Sequence, residues 1–108
     1  MDTYAQLRGL EATYGAGPTA AWCATTETSY NNWLNHRHPP TPQQAAVIHA
    51  VWHATERITE EQTRAIAAAW MNAANPLLGG RTPRAAVRDH PDAVIAAAEA
   101  FITKVETV

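Results

Sequence analysis

The sequence predicts an all-α fold, and three observations lead to that prediction. Apolar residues recur at intervals of three and four along most of the chain, the spacing of a helix face. No stretch alternates apolar and polar residues between hairpin turns, as a half-buried strand would. Alanine, which loses little on entering a helix, occurs 23 times in 108 residues. A chain of this length fits one domain, or two very small helical units sharing a core.

The elements follow in order. Tyr4, Leu7, Leu10 and Tyr14 share one face of a first helix, which Gly15 and Gly17 end. A second short helix is predicted over 18–25 and a third over 27–36. Thr26 is the expected cap of the third, because its hydroxyl can accept from the amide of Ser29. The run His38-Pro39-Pro40 breaks the chain, and Thr41 followed by Pro42 starts the fourth helix. There Ala45, Ile48, Val51, Trp52, Thr55 and Ile58 lie together, while His49, His53 and Arg57 point elsewhere.

Thr59-Glu60-Glu61-Gln62 has the pattern of a capping box, so a fifth helix is predicted from Glu60. It carries Ile66, Ala69, Trp70 and Ala73 on one face. Thr82-Pro83 opens a short helix to about Arg88, and Pro91 with Asp92 opens the last. The last helix bears an apolar stripe of Val94, Ile95, Ala98, Phe101, Ile102 and Val105. The best boundary lies near Ile58-Thr59, dividing the chain into 1–58 and 59–108.

Between the fifth and sixth helices, residues 70–83 read WMNAANPLLGGRTP. Pro76 removes a donor and biases Asn75 away from the helical region. Gly79 and Gly80 permit positive φ or a tight backbone approach. Thr82 can cap, and Pro83 suits a first helical position. The segment encodes a fixed helix-to-helix corner. Free amides around Gly79-Gly80 could receive an anion. No Walker-type lysine follows them, so a nucleotide site is not expected.

Charge sets limits on partners. Residues 1–57 hold three arginines and four acids, and residues 58–108 hold five basic and six acidic residues. Neither half has the strongly basic character of a high-affinity DNA-binding domain. No stretch of 18 apolar residues exists and no basic-then-apolar leader opens the sequence, so a non-membrane, cytoplasmic protein is expected. One cysteine makes no internal disulfide, which fits a reducing compartment.

Residues 18–40 nevertheless read as two short helices around a tight turn. Thr26, Thr28, Ser29, Asn31, Asn32 and Asn35 make the second helix polar and rich in hydrogen-bonding groups. Such a helix suits a major groove, with Asn reading adenine edges and Ser or Thr touching bases or phosphates. Arg37, His36 and His38 follow at its end, within reach of a DNA backbone. A solvated face of a helical bundle gives the same pattern. Over roughly residues 4–57 the chain resembles the Xre, phage-repressor-like helix-turn-helix family. Ala24 stands where that family favours glycine, and Tyr30 where it favours a small aliphatic residue.

Over residues 60–105 the chain resembles the toxin-binding domain of Xre/MbcA/ParS-type antitoxins. The likeness is carried by Trp70, Asn75-Pro76, Leu78, Gly79-Gly80 and Arg81-Thr82-Pro83, followed by a short helix and a longer one. The resemblance implies an Xre-like helix-turn-helix domain at 1–58 and a toxin-binding and dimerisation domain at 59–108. It implies an antitoxin that occludes a RES-domain, NAD-consuming toxin, acts as a homodimer and represses its own operon by binding operator DNA. Leu78, Gly79, Gly80, Arg81 and Thr82 become the first partner-contact candidates, with Lys104 and Val108 of the last helix as the second. For each corner residue a purely structural role stands beside this one: the glycines to turn the chain, and Arg81 to pair with a nearby acid or a helix-end carbonyl. Two other functions fit the chain: a phage or mobile-element protein that binds a host protein, and a stand-alone transcriptional regulator.

Chemistry of its own is not expected. His49 and His53 have metal-ligand spacing, but the sequence HAVWH lacks the glutamate of a zincin helix, and surface histidines are the simpler expectation. Cys23 beside Trp22 is expected as a small core residue. No Ser-His-Asp set and no carboxylate pair with an evident role is found, so neither enzyme activity, metal nor cofactor is predicted.

Overall fold

The computed structural model describes residues 2–107, with side-chain surroundings for residues 2–104. These residues form seven α-helices and one 3-10 turn, with no strand among them. The first half holds α1 (Thr3–Tyr14), α2 (Ala16–Trp22), α3 (Glu27–Leu34) and α4 (Pro42–Glu61). After it come α5 (Arg64–Asn72), the 3-10 turn Pro76–Leu78, α6 (Pro83–Ala86) and α7 (Pro91–Thr107).

Short polar side chains start most of these helices. Asp2 accepts from the Ala5 amide at 2.8 Å, Thr26 from Ser29 at 3.1 Å, and Thr63 from Ile66 at 3.2 Å. Thr41 and Gln44 form a complete capping box, with bonds of 3.2 and 2.8 Å. Each cap satisfies an amide that has no partner inside its helix, and losing one typically costs about 1 kcal/mol.

The box predicted at Thr59-Glu60-Glu61-Gln62 does not form. The Thr59 hydroxyl turns back and donates to the Thr55 carbonyl at 2.7 Å. Helix α4 therefore runs on to Glu61, the chain breaks at Gln62, and Thr63 is the cap. The expected boundary near Ile58-Thr59 falls inside α4. The face of α5 is also rotated from the predicted one. Ala67, Trp70 and Met71 are buried, whereas Ile66, Ala69 and Ala73 are exposed. In a helix of so many alanines the apolar pattern has little phase, and Met71 outweighs Ile66 when packed. Helix α2 starts before Pro18, not at it, and α3 ends at Leu34 rather than His36.

The core is organised around α4. Its inner face presents Val47, Ile48, Val51, Ala54 and Ile58, and it packs most extensively against α7 and then α5. Helix α7 contributes Val94, Ala97, Ala98 and Ile102. Of its predicted stripe, Val94, Ala98 and Ile102 are buried and Ile95 and Phe101 half-buried, while the surroundings of Val105 lie outside the described residues. On the other flank, Leu7 and Leu10 of α1 meet Trp22, Tyr30 and Trp33 from α2 and α3, and all belong to one continuous cluster. Gly9 allows α1 to lie close to α4: a Cβ there would stand 2.6 Å from the Trp52 ring.

Polar side chains seal the edges. Gln6 is buried and lies 3.1 Å from the His49 ring nitrogen. At the α4–α7 seam, Glu99 accepts from Arg57 Nε at 3.1 Å, and His53 Nε2 lies 3.1 Å from the same oxygen. The Arg57 hydrogen bond, helped by His53, holds the Glu99 carboxyl below the usual glutamate range.

Two outcomes follow. Ala24, in the turn after α2, has φ +56° and is exposed. A left-handed conformation costs a non-glycine residue about 1–2 kcal/mol, and glycine's extra chain entropy offsets about 0.5–1 of that. Ala24→Gly should therefore raise the melting temperature by about 4 °C, measured by calorimetry. Glu99, with its folded pKa depressed, stabilises the fold above its unfolded value of about 4.3 and loses that contribution as pH falls through the folded value. Wild type should exceed Glu99→Gln in urea stability at neutral pH. The difference should shrink as pH falls below about 4.

Candidate functional site

The corner after α5 is built from its own backbone. Asn75 accepts from the Leu77 amide through its side chain at 2.9 Å, opening the 3-10 turn Pro76–Leu78. Gly79 and Gly80 follow with φ +68° and +84°. A Cβ on either would meet nothing within 4 Å. The glycines are thus required by conformation and not by close approach. The Gly79 amide donates to Pro76 at 3.3 Å, Gly80 to Asn75 at 2.9 Å and Arg81 to Leu78 at 3.3 Å. Asn75 in turn donates to the Arg81 carbonyl at 3.0 Å, closing the loop. These amides are engaged internally, so the anion-binding role considered for them fails.

Both structural roles considered for Arg81 are present. Its guanidinium donates to the Ala85 carbonyl at 2.9 Å and lies 3.5 Å from Asp89. Thr82 caps α6 through a 3.2 Å bond from the Ala85 amide. Of the paired leucines, Leu78 turns into the core at 9% exposure, and Leu77 stands out at 66%. Leu77, rather than the Leu78 named from the sequence, is therefore the exposed leucine of the corner. Nothing in the residue pair itself distinguishes them. The direction is set by the three-residue turn that Pro76 starts, which brings Leu78 back over α7.

An open apolar groove of about 450 Å³ runs beside Leu77, between the corner and the outer face of α7. Trp70, Pro76, Leu77, Ala97 and Phe101 line it, and Lys104 stands at its edge. The Trp70 and Phe101 rings are 6.4 Å apart, tilted by 45°. Gly79, Gly80 and Arg81 are exposed on the corner, and Thr82 is half-buried. Val108 lies outside the described residues. The sequence had located Trp70 as a helix end and Phe101 in a stripe. Their shared groove depends on how α5 and α7 are both held against α4, which spacing alone does not encode.

The second candidate surface is α3. Ala24 takes the left-handed turn conformation between α2 and α3, and the Thr26 cap forms as predicted. Tyr30 and Trp33 are buried and anchor the helix. Thr28, Asn31 and Asn35 form an exposed row, with Ser29 and Asn32 half-buried beside it. Thr26 and Arg37 are exposed at the two ends. His36, at φ +57°, stacks its ring 4.2 Å from Tyr4, which ties the end of α3 to α1.

The histidine pair of α4 is divided between two partners. His49 faces Gln6, His53 faces Glu99, and the two rings are 6.0 Å apart. Among the described residues, no group of three His, Cys, Asp or Glu side chains is placed to hold a metal. Nor is any helix among them long and apolar enough to cross a membrane. Cys23 is 3% exposed, and burial pushes its thiol up to about 12. A maleimide or disulfide reagent at about pH 8 should therefore leave the native protein unlabelled and modify Cys23 only on unfolding. Mass spectrometry reads the difference.

Comparison with known proteins adds no identity: no family model matches this sequence, and no curated protein and no solved structure matches it.

Proposed function

We propose that the chain is an antitoxin: it binds a RES-domain, NAD-consuming toxin, occludes that enzyme's active site, and represses its own operon through α2 and α3. The supporting observation is the groove beside the corner. The segment whose residues resemble a toxin-binding domain borders an apolar groove of about 450 Å³ with one projecting leucine. Exposed apolar side chains beside a groove are typical anchors of a protein interface. The partner surface centres on exposed Leu77, with half-buried Phe101 and buried Trp70 lining the groove beside it, and is flanked by Gly79, Gly80, Arg81, Thr82 and Lys104.

The mechanism needs no chemistry from this chain. A rigid corner docks on the toxin and excludes substrate from its cleft. For the DNA role, the neutral row Thr28, Asn31 and Asn35 supplies donors and acceptors for base edges. A homodimer would present two such helices to successive major grooves, roughly 34 Å apart.

Co-expression with a RES-domain toxin tests the proposal. Wild type should copurify with the toxin and abolish its NAD consumption. Leu77→Asp places a charge at the centre of the contact and should weaken the complex by about 30-fold or more, as loss of a hot spot does. Helix content should not change, because Leu77 is exposed. A toxin that stays fully active beside excess wild-type protein would overturn the antitoxin assignment.

A further inference from the structure

The first half of the chain lacks the positive charge that duplex binding requires, and the fold brings that charge from the second half. Three of the eight basic residues, Arg81, Arg84 and Arg88, lie around the short helix α6. Helix α6 packs against α2. The three arginines line one open groove of about 450 Å³ together with Ala21 at the end of α2 and Ala24 in the turn before α3. Asp89 is the one acid in that lining, so the groove is formally positive on a chain of net charge −2.

The arginines differ in what holds them. Arg81 is engaged by the Ala85 carbonyl and Asp89. Arg84 donates to the Asn72 side chain at 3.1 Å and is exposed. Arg88 is exposed, and its side chain has no hydrogen bond or ion pair among the described residues. Two of the three cations are therefore open to an incoming anion. Ala21 and Ala24 are small, so nothing bulky separates the cations from the α2–α3 turn. The groove reaches Ala24, two residues before Thr26, the cap of α3.

We infer that Arg84 and Arg88 are phosphate-contact residues that clamp the DNA backbone flanking the groove entered by α3. The inference rests on the DNA-binding part of the function proposed above. It assigns the sequence-independent half of the interaction to the second half of the chain. Charge complementarity favours a duplex over an acidic protein. The adjoining α3 face is hydrogen-bonding, with Thr28, Asn31 and Asn35 and the single acid Glu27 in its first turn, and so offers no cations to an acidic peptide. Protein–DNA interfaces combine these two parts: neutral groups for base edges and flanking cations for phosphates.

The test uses the full chain and a labelled duplex of the DNA immediately upstream of its gene, with a scrambled duplex beside it. Affinity is titrated between about 50 and 200 mM salt. Arg84→Ala and Arg88→Ala should each lower the slope of log affinity against log salt by about 0.9, and the double variant by about 1.8, on both duplexes. Asp89→Asn removes the acid from the groove and should tighten binding to both, a gain that damaged folding cannot produce. Circular dichroism checks that helix content is kept. If wild type binds the upstream duplex and the double variant binds it with the same slope and affinity, the inference is wrong and DNA binding stands. Loss of toxin neutralisation without any change in DNA binding would also overturn it, reassigning the groove to a protein. If wild type binds neither duplex at the lowest salt, DNA binding itself fails.

Discussion

The seam between α4 and α7 is the constraint on which everything else rests. Helix α4 packs against α1 on one flank and against α5 and α7 on the other. Small residues make the seam close: Ala54 of α4 and Ala97 and Ala98 of α7 are buried, with Ile48, Ile58, Val94 and Ile102 filling the space around them. Alanine at a contact brings helix axes together, and the larger side chains then interdigitate. Glu99 fixes the register from outside, because one carboxylate meets both His53 and Arg57, four residues apart on α4. Helix α7 in turn carries one wall of the apolar groove, and α6 reaches α2 only because α4, α5 and α7 hold their places.

Much of this was legible in the residues, for identifiable reasons. Punctuation is local: Thr26, Thr41 with Pro42, Thr82 with Pro83, and the Asn75–Gly80 corner act through their nearest neighbours, and all took the expected form. Phase is not local. The α5 face was misplaced because alanine marks no side of a helix, so the packing of Trp70 and Met71 decided its rotation. The Thr59 box failed because a threonine hydroxyl inside a helix has a rival acceptor in the carbonyl one turn back. Which of Leu77 and Leu78 is exposed was not legible, because their direction depends on how many residues the 3-10 turn contains. The arginine groove was invisible in the sequence, since it joins residue 24 to residues 81–89 across the fold.

The two candidate surfaces differ in chemistry and share supports. One is apolar, centred on Leu77, Trp70 and Phe101; the other is polar, running from the α3 face to the arginines of α6. Arg81 stands between them: its backbone closes the glycine corner, and its side chain borders the polar groove. Low net charge is therefore a poor guide to this molecule, because cations from one half are set beside the α2–α3 turn of the other. A sum over either half misses that arrangement.

The closed hydrogen bonding of the Gly79–Gly80 corner has a kinetic consequence. A loop that must order itself on contact slows association and gives back part of its binding free energy as lost chain entropy. Here the ordering is complete before any partner arrives. Asn75 and Arg81 clasp the loop at its base, and each glycine amide already has its acceptor. The backbone that carries Leu77 is thus fixed by its own hydrogen bonds. For the partner proposed at this corner, recognition would then be governed by the fit of the opposing surface, and the lifetime of a complex, more than its rate of formation, would separate a true partner from a near one.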